Sequence, residues 1–109
     1  MAHVERPEDL RLIEQHVRSF NHGVRTGEWE PMLRRFADDA VMEFPGLTLR
    51  GLDEIRAAYA KRAPDDEIVL LGLQDDRAAF AWSKGGTGRM LFEIDRGLIA
   101  KLTVVFDER

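Results

Sequence analysis

Tyr59, His16 and Glu43 are the side chains in this sequence best suited by type and setting to donate or accept a proton. A tyrosine hydroxyl can donate to a carbonyl or a developing oxyanion, although its reference pKa of about 10 makes it a poor base at neutral pH. Histidine titrates near neutrality and can act as acid or base. Glu43 is the carboxylate placed best to join them, next to a break at Pro45-Gly46. Asp38 and Asp39 stand side by side as a carboxylate pair would. Their position between a helix and a strand suits hydrogen bonds to local backbone amides instead. His3, His16 and His22 lack the spacing of metal ligands, and the chain has no cysteine. No metal, thiolate nucleophile, disulfide or cofactor is therefore expected. The run Gly85-Gly86-Thr87-Gly88 has the composition of a phosphate cradle but no strand-to-helix context, so it reads as a hairpin turn.

The elements that must position these groups follow from size and patterning. The 109 residues suffice for one domain with one core. The net charge of -4 comes from intermingled acids and bases, which disfavours a nucleic-acid surface or an anionic membrane as partner. The first residues contain no apolar stretch long enough for a signal peptide or a spanning helix. A soluble cytoplasmic protein with a mobile tail at residues 1–6 is expected.

Pro7, Glu8 and Asp9 form a good helix start, because proline needs no amide partner there and acids suit the positive end of the dipole. Leu10, Ile13, Val17, Phe20 and Val24 then make one apolar stripe, which predicts a helix over residues 7–25. Gly27 ends it, and Trp29, Met32, Leu33 and Phe36 give a second, short helix its apolar face. Strands are predicted at 40–44 and 47–49, and a third helix at 52–62, ended before Pro64. Apolar runs at 68–73, 78–82, 90–94 and 99–106 are separated by turn residues and predict four more strands in an antiparallel meander. The fold class is α+β, three helices on a curved antiparallel sheet.

The order of these landmarks is specific: Thr26-Gly27-Glu28-Trp29-Glu30, then Phe36-Ala37-Asp38-Asp39-Ala40-Val41-Met42-Glu43-Phe44, then Arg50-Gly51-Leu52-Asp53-Glu54-Ile55. It resembles the nuclear transport factor 2-like superfamily, which includes ketosteroid isomerase and the SnoaL-like polyketide cyclases. The resemblance covers nearly the whole chain and implies a cone, closed by the helices over the concave sheet face, in which ligands bind. That fold hosts isomerases, dehydratases, cyclases, binding modules and scaffolds, so it does not fix an activity. Ketosteroid isomerase uses an aspartate base with a tyrosine and a protonated aspartic acid as oxyanion hole, a stock example of carboxyl tuning by an apolar site. Matching the motifs puts the family's tyrosine at Phe20, its base at Phe44 and its later polar positions at Met90 and Leu91. All four are apolar, so the isomerase mechanism does not carry over. Tyr59 falls where the isomerases also have a tyrosine.

Strand alternation puts Met42 and Phe44, Phe80 and Trp82, Met90, Phe92 and Ile94, and Leu98, Ala100, Leu102, Val104 and Phe106 on the inner face. Phe20, Phe44, Trp82, Met90, Phe92 and Val104 are thus the expected pocket wall for a small apolar ligand. His16 lies one turn before Phe20; beside an apolar stripe it reads as a partly exposed boundary residue, while a tilt of the helix would aim it at the pocket mouth. Glu43 is expected outward, unless a bulge before Pro45 turns it inward in place of Phe44. The outer face carries Val69, Leu71, Leu73, Ala79, Ala81, Leu91, Ile99 and Val105, diluted by Glu93, Lys101 and Thr103. So apolar a face predicts a two-fold dimer packed sheet against sheet. Three functions stay open: an isomerase, cyclase or dehydratase for a small apolar substrate, a non-catalytic ligand-binding pocket, and a filled cone serving as an assembly module.

Overall fold

The computed structural model describes residues 7–74 and 76–107; the expected tail at 1–6 and Asp75 of the first meander turn lie outside them. Helix α1 (Pro7–Thr26) begins at the predicted proline. The one-turn helix α2 (Glu30–Leu33) follows Gly27, whose φ of 83° suits glycine best. Strands β1 (Phe36–Phe44) and β2 (Leu47–Arg50) form a hairpin, and α3 (Leu52–Lys61) leads into the meander β3 (Ile68–Gln74), β4 (Arg77–Trp82), β5 (Thr87–Asp95) and β6 (Leu98–Phe106). The sheet order is β2-β1-β6-β5-β4-β3. All neighbours are antiparallel except β1 and β6, which run parallel. This is the expected α+β architecture, with that one parallel pair as a difference.

Helix α2 is shorter than its apolar spacing suggested, and Phe36 opens β1 instead of closing the helix. The backbone explains this: the Ile99 N–H donates to the Arg35 carbonyl at 2.8 Å, which draws the chain into the sheet just where Phe36 is buried opposite Ile99. Residues 37–40 then oppose only Ala100 before the ladder resumes at Val41 and Lys101. Asp38 and Asp39 sit exposed on that bulge.

Two further bulges alter which residues face inward. Leu70 pairs with Phe80 and Gly72 with Ala79, so Leu71 is the extra residue of β3. Glu93 pairs with Lys101 and Ile94 with Ile99, so Ala100 is the extra residue of β6. Each extra residue reverses the alternation beyond it. Leu73 and Ile99, expected on the outer face, therefore turn to the core, and Ile99 is wholly buried. Leu98, expected inside, is 38% exposed. The turn that precedes it holds both Arg96 and Gly97 at positive φ, 55° and 79°, as a two-residue hairpin connection requires.

The core forms where α1 lays Leu12, Ile13, Val17 and Phe20 over the inner sheet face of Phe80, Met90, Phe92 and Leu102. Close approach at one end depends on Gly23, where a Cβ would fall inside the Trp29 ring. Trp29 in turn meets Tyr59 edge-on, with ring centroids 4.8 Å apart. At the far edge, Asn21 completes the sheet: its side-chain amide donates to the Ile68 carbonyl and accepts from the Ile68 N–H, both at 2.8 Å. No helix among the described residues is long and apolar enough to cross a membrane.

Candidate functional site

The concave face of the sheet and helices α1 and α3 enclose a cavity of about 30 Å³, lined by His16, Phe20, Phe44, Tyr59, Ile68, Phe80, Trp82, Met90, Leu102 and Val104. Strand period two explains the wall, since Met90, Leu102 and Val104 are inward positions of adjacent strands. Five of the six wall residues expected from the sequence line it: Phe20, Phe44, Trp82, Met90 and Val104. Phe92 is buried one layer deeper, edge-on to His16 with centroids 5.7 Å apart. Ile68 was missed as a wall residue; the side-chain clamp from Asn21 that seats the start of β3 against α1 has no local sequence signature.

Of the polar candidates, His16 and Tyr59 meet the cavity and Glu43 does not. Glu43 points to the outer face, where its carboxylate lies 3.3 Å from Lys101 Nζ. That is the orientation of the unbulged strand end, since β1 pairs regularly with β2 from Val41 to Phe44.

His16 is 2% exposed, which corrects the expectation of a boundary residue. It follows Ile13 by three and precedes Phe20 by four, so it stands on the same stripe and is carried inward with it. Phe36 and Phe92 present their edges to its ring, at centroid distances of 5.5 and 5.7 Å. Its Nδ1 is buried without a hydrogen-bond partner among the described residues. Burial holds its pKa down to about 4, and the nearby Arg35 guanidinium pushes in the same direction. The imidazole is therefore neutral at physiological pH.

Tyr59 is buried on α3. Burial raises its pKa above the usual tyrosine range, so the hydroxyl keeps its proton. It donates to Met42 Sδ at 3.6 Å, and a thioether is a weak acceptor. The hydroxyl could thus be transferred to a better acceptor at small cost.

The cavity thus offers a neutral imidazole, one protonated phenol and hydrocarbon walls, with no carboxylate among its described lining residues. About 30 Å³ admits a water but nothing larger. Phe44 and Trp82 are only half-buried, and Trp82 meets the exposed Phe106 at a tilt of 44° with centroids 6.3 Å apart. These half-buried rings form the solvent side of the cavity wall. No group of histidine and acidic side chains among the described residues is placed to hold a metal ion.

Comparison with known proteins agrees with this fold. Residues 17–102 match the SnoaL-like domain. Among solved structures, the chain is similar to a provisionally named ketosteroid isomerase from Kribbella flavida DSM 17836, with a TM-score of 0.74, 18% identity, and 94% of this chain and 79% of that one covered. It is also similar to an NTF2-like protein of unknown function from Cytophaga hutchinsonii ATCC 33406, with a TM-score of 0.69, 15% identity, and 98% and 95% covered. A de novo designed protein with a curved β-sheet superposes with a TM-score of 0.69 at 19% identity, over 95% and 88% of the two chains. At these identities the structural likeness concerns the fold. No curated protein matches the chain.

Proposed function

The chain belongs to the SnoaL-like domain family, and on that premise we propose that it is a small-molecule pocket protein that binds a largely apolar ligand in the cone, with His16 as polar anchor. The observation that carries this reading is that His16 lines the cavity and its Nδ1 is buried without a hydrogen-bond partner among the described residues. A buried polar atom left without a partner costs about 1–3 kcal/mol, and native structures satisfy nearly all such atoms. A ligand hydroxyl or carbonyl meeting the imidazole removes that cost, because a neutral imidazole can donate or accept according to tautomer. Tyr59 is the second anchor, released from Met42. Binding requires Trp82 and Phe44 to swing outward, since sites for drug-sized ligands span roughly 300–1,000 Å³.

Binding is favoured over an isomerase, cyclase or dehydratase activity because no carboxylate is among the cavity's described lining residues and the isomerase positions are Phe20 and Phe44. A reaction here would route its proton through neutral His16, with Tyr59 as donor. A second reading, a filled cone in a dimeric assembly module, is favoured by the small cavity and by the exposure of Val69 and Leu71, 56% and 60%. The proposal keeps the sheet-to-sheet homodimer and the cytoplasmic setting expected from the sequence.

The test is calorimetric titration with cyclohexanol, cyclohexanone and methylcyclohexane, on the native protein and on His16→Phe. The reading expects saturable binding with the oxygenated rings several-fold tighter, and loss of that preference in the variant. Uptake of none of the three would select the filled cone, and an unchanged preference in His16→Phe would remove His16 from the site.

A further inference from the structure

A second concavity, of about 400 Å³, opens between α1, α2 and the start of β6. Its polar lining is Gln15, Arg34 and Arg35, its apolar lining is Leu12, Pro31 and Leu98, and no carboxylate is among its described lining residues. Arg25, Arg56, Arg77 and Arg89 each lie within ion-pair distance of an acid. Arg35 has no such partner among the described residues, although it is half-buried. Its Nη1 donates to Gln15 Oε1 at 2.9 Å and its Nε donates to Ser19 Oγ at 3.2 Å, both neutral acceptors. Its own carbonyl accepts from the Ile99 N–H. Backbone and side chain are thus both fixed, and only two of the five N–H groups a guanidinium carries are spent on protein acceptors among the described residues.

A guanidinium fixed in this way is preorganised for an anion. Two parallel N–H donors match the two oxygens of a carboxylate, and the adjacent Arg34 adds positive charge. The apolar lining selects what the anion is attached to. Leu98 is turned toward solvent by the Ala100 bulge and leaves hydrocarbon beside the arginines that water covers poorly. We propose that this concavity binds a small organic acid, its carboxylate on Arg35 and Arg34 and its hydrocarbon part against Leu12, Pro31 and Leu98. The site is separate from the cone, and its existence does not depend on the function proposed above. The two are coupled through Arg35, the charged group that acts on His16: an anion on Arg35 offsets its field and makes His16 easier to protonate.

The experiment follows backbone amide and His16 imidazole resonances while benzoate, benzyl alcohol and inorganic phosphate are added in turn to the native protein, Arg34→Gln and Arg35→Lys. The proposal expects benzoate to shift the Gln15, Gly97 and Leu98 amides saturably, with benzyl alcohol and phosphate at least tenfold weaker. Arg35→Lys should weaken benzoate at least tenfold by losing the fork, and Arg34→Gln, an exposed position that leaves the fold intact, several-fold. Saturating benzoate should also move the His16 titration upward. Shifts that never saturate, equal binding of benzyl alcohol or phosphate, benzoate shifts confined to the cone, or undiminished binding by both variants would each overturn it.

Discussion

Replacing His16 by phenylalanine should make the protein more stable, and more so in acid. The ring keeps its edge contacts with Phe36 and Phe92, loses the unpartnered Nδ1, and has the adjacent cavity into which to extend. Relief of the buried polar atom predicts a gain of about 1–3 kcal/mol at pH 7. The second contribution comes from linkage. The pKa of His16 is lowered on folding from 6.5 to about 4, so between those values the unfolded chain binds a proton that the folded one does not. Stability from neutral, buried His16 is fully present above pH 6.5 and is lost as pH falls toward 4. At 1.36 kcal/mol per unit, the native protein loses roughly 2 kcal/mol between pH 7 and pH 4.5 through this residue alone. Urea unfolding of native protein and variant at both pH values isolates the effect, since shared carboxylates cancel in the difference. The advantage of the variant should widen by roughly 2 kcal/mol at the lower pH. An advantage that is the same at both pH values would refute the argument that His16 is held neutral by burial.

Gly23→Ala places a methyl inside the Trp29 ring; overpacking of this kind should cost about 1–3 kcal/mol in urea unfolding, and a neutral result would show that the α1 to Trp29 contact is loose. Tyr59→Phe gives up only the 3.6 Å contact with Met42 Sδ, so stability should change by less than about 1 kcal/mol while cyclohexanone binding weakens; unchanged binding would remove Tyr59 from the site. Val69→Asp puts a charge opposite Ala81 on the outer sheet face, where an apolar interface would strip its hydration; sedimentation should report a dimer for the native protein and a monomer for the variant, and a variant as dimeric as the native chain would displace the interface from this face.

What could be read from the sequence was set by local rules. The apolar stripe of α1, the glycine that ends it and the landmarks from Thr26 to Ile55 are short-range patterns, and they were enough for the fold. The wall residues Phe20, Phe44, Trp82, Met90 and Val104 follow from period two on regular strand segments. The misplacements of Leu73, Ile99 and Leu98 have one cause: a bulge at Leu71 or Ala100 is a property of the paired ladder, and a single strand's sequence does not show which partner it slips against. Phe36 went astray because the hydrogen bond from Ile99 to the Arg35 carbonyl joins segments more than sixty residues apart. His16 was placed at the boundary on residue type, although its spacing from Ile13 and Phe20 already put it on the buried stripe. The concavity at Arg34 and Arg35 depends on where the β5 to β6 turn lands against α1, which no local pattern reveals.

The proposed function rests on His16 meeting a ligand inside the cone. Nitrogen-15 spectra of the His16 imidazole, recorded as cyclohexanol is titrated at pH 7, would report on Nδ1 itself. A neutral ring is expected, its Nδ1 resonance moving saturably to a hydrogen-bonded value in step with shifts at Trp82 and Phe44. An Nδ1 resonance that stays put while cyclohexanol binds, or a ring already protonated at pH 7, would contradict it.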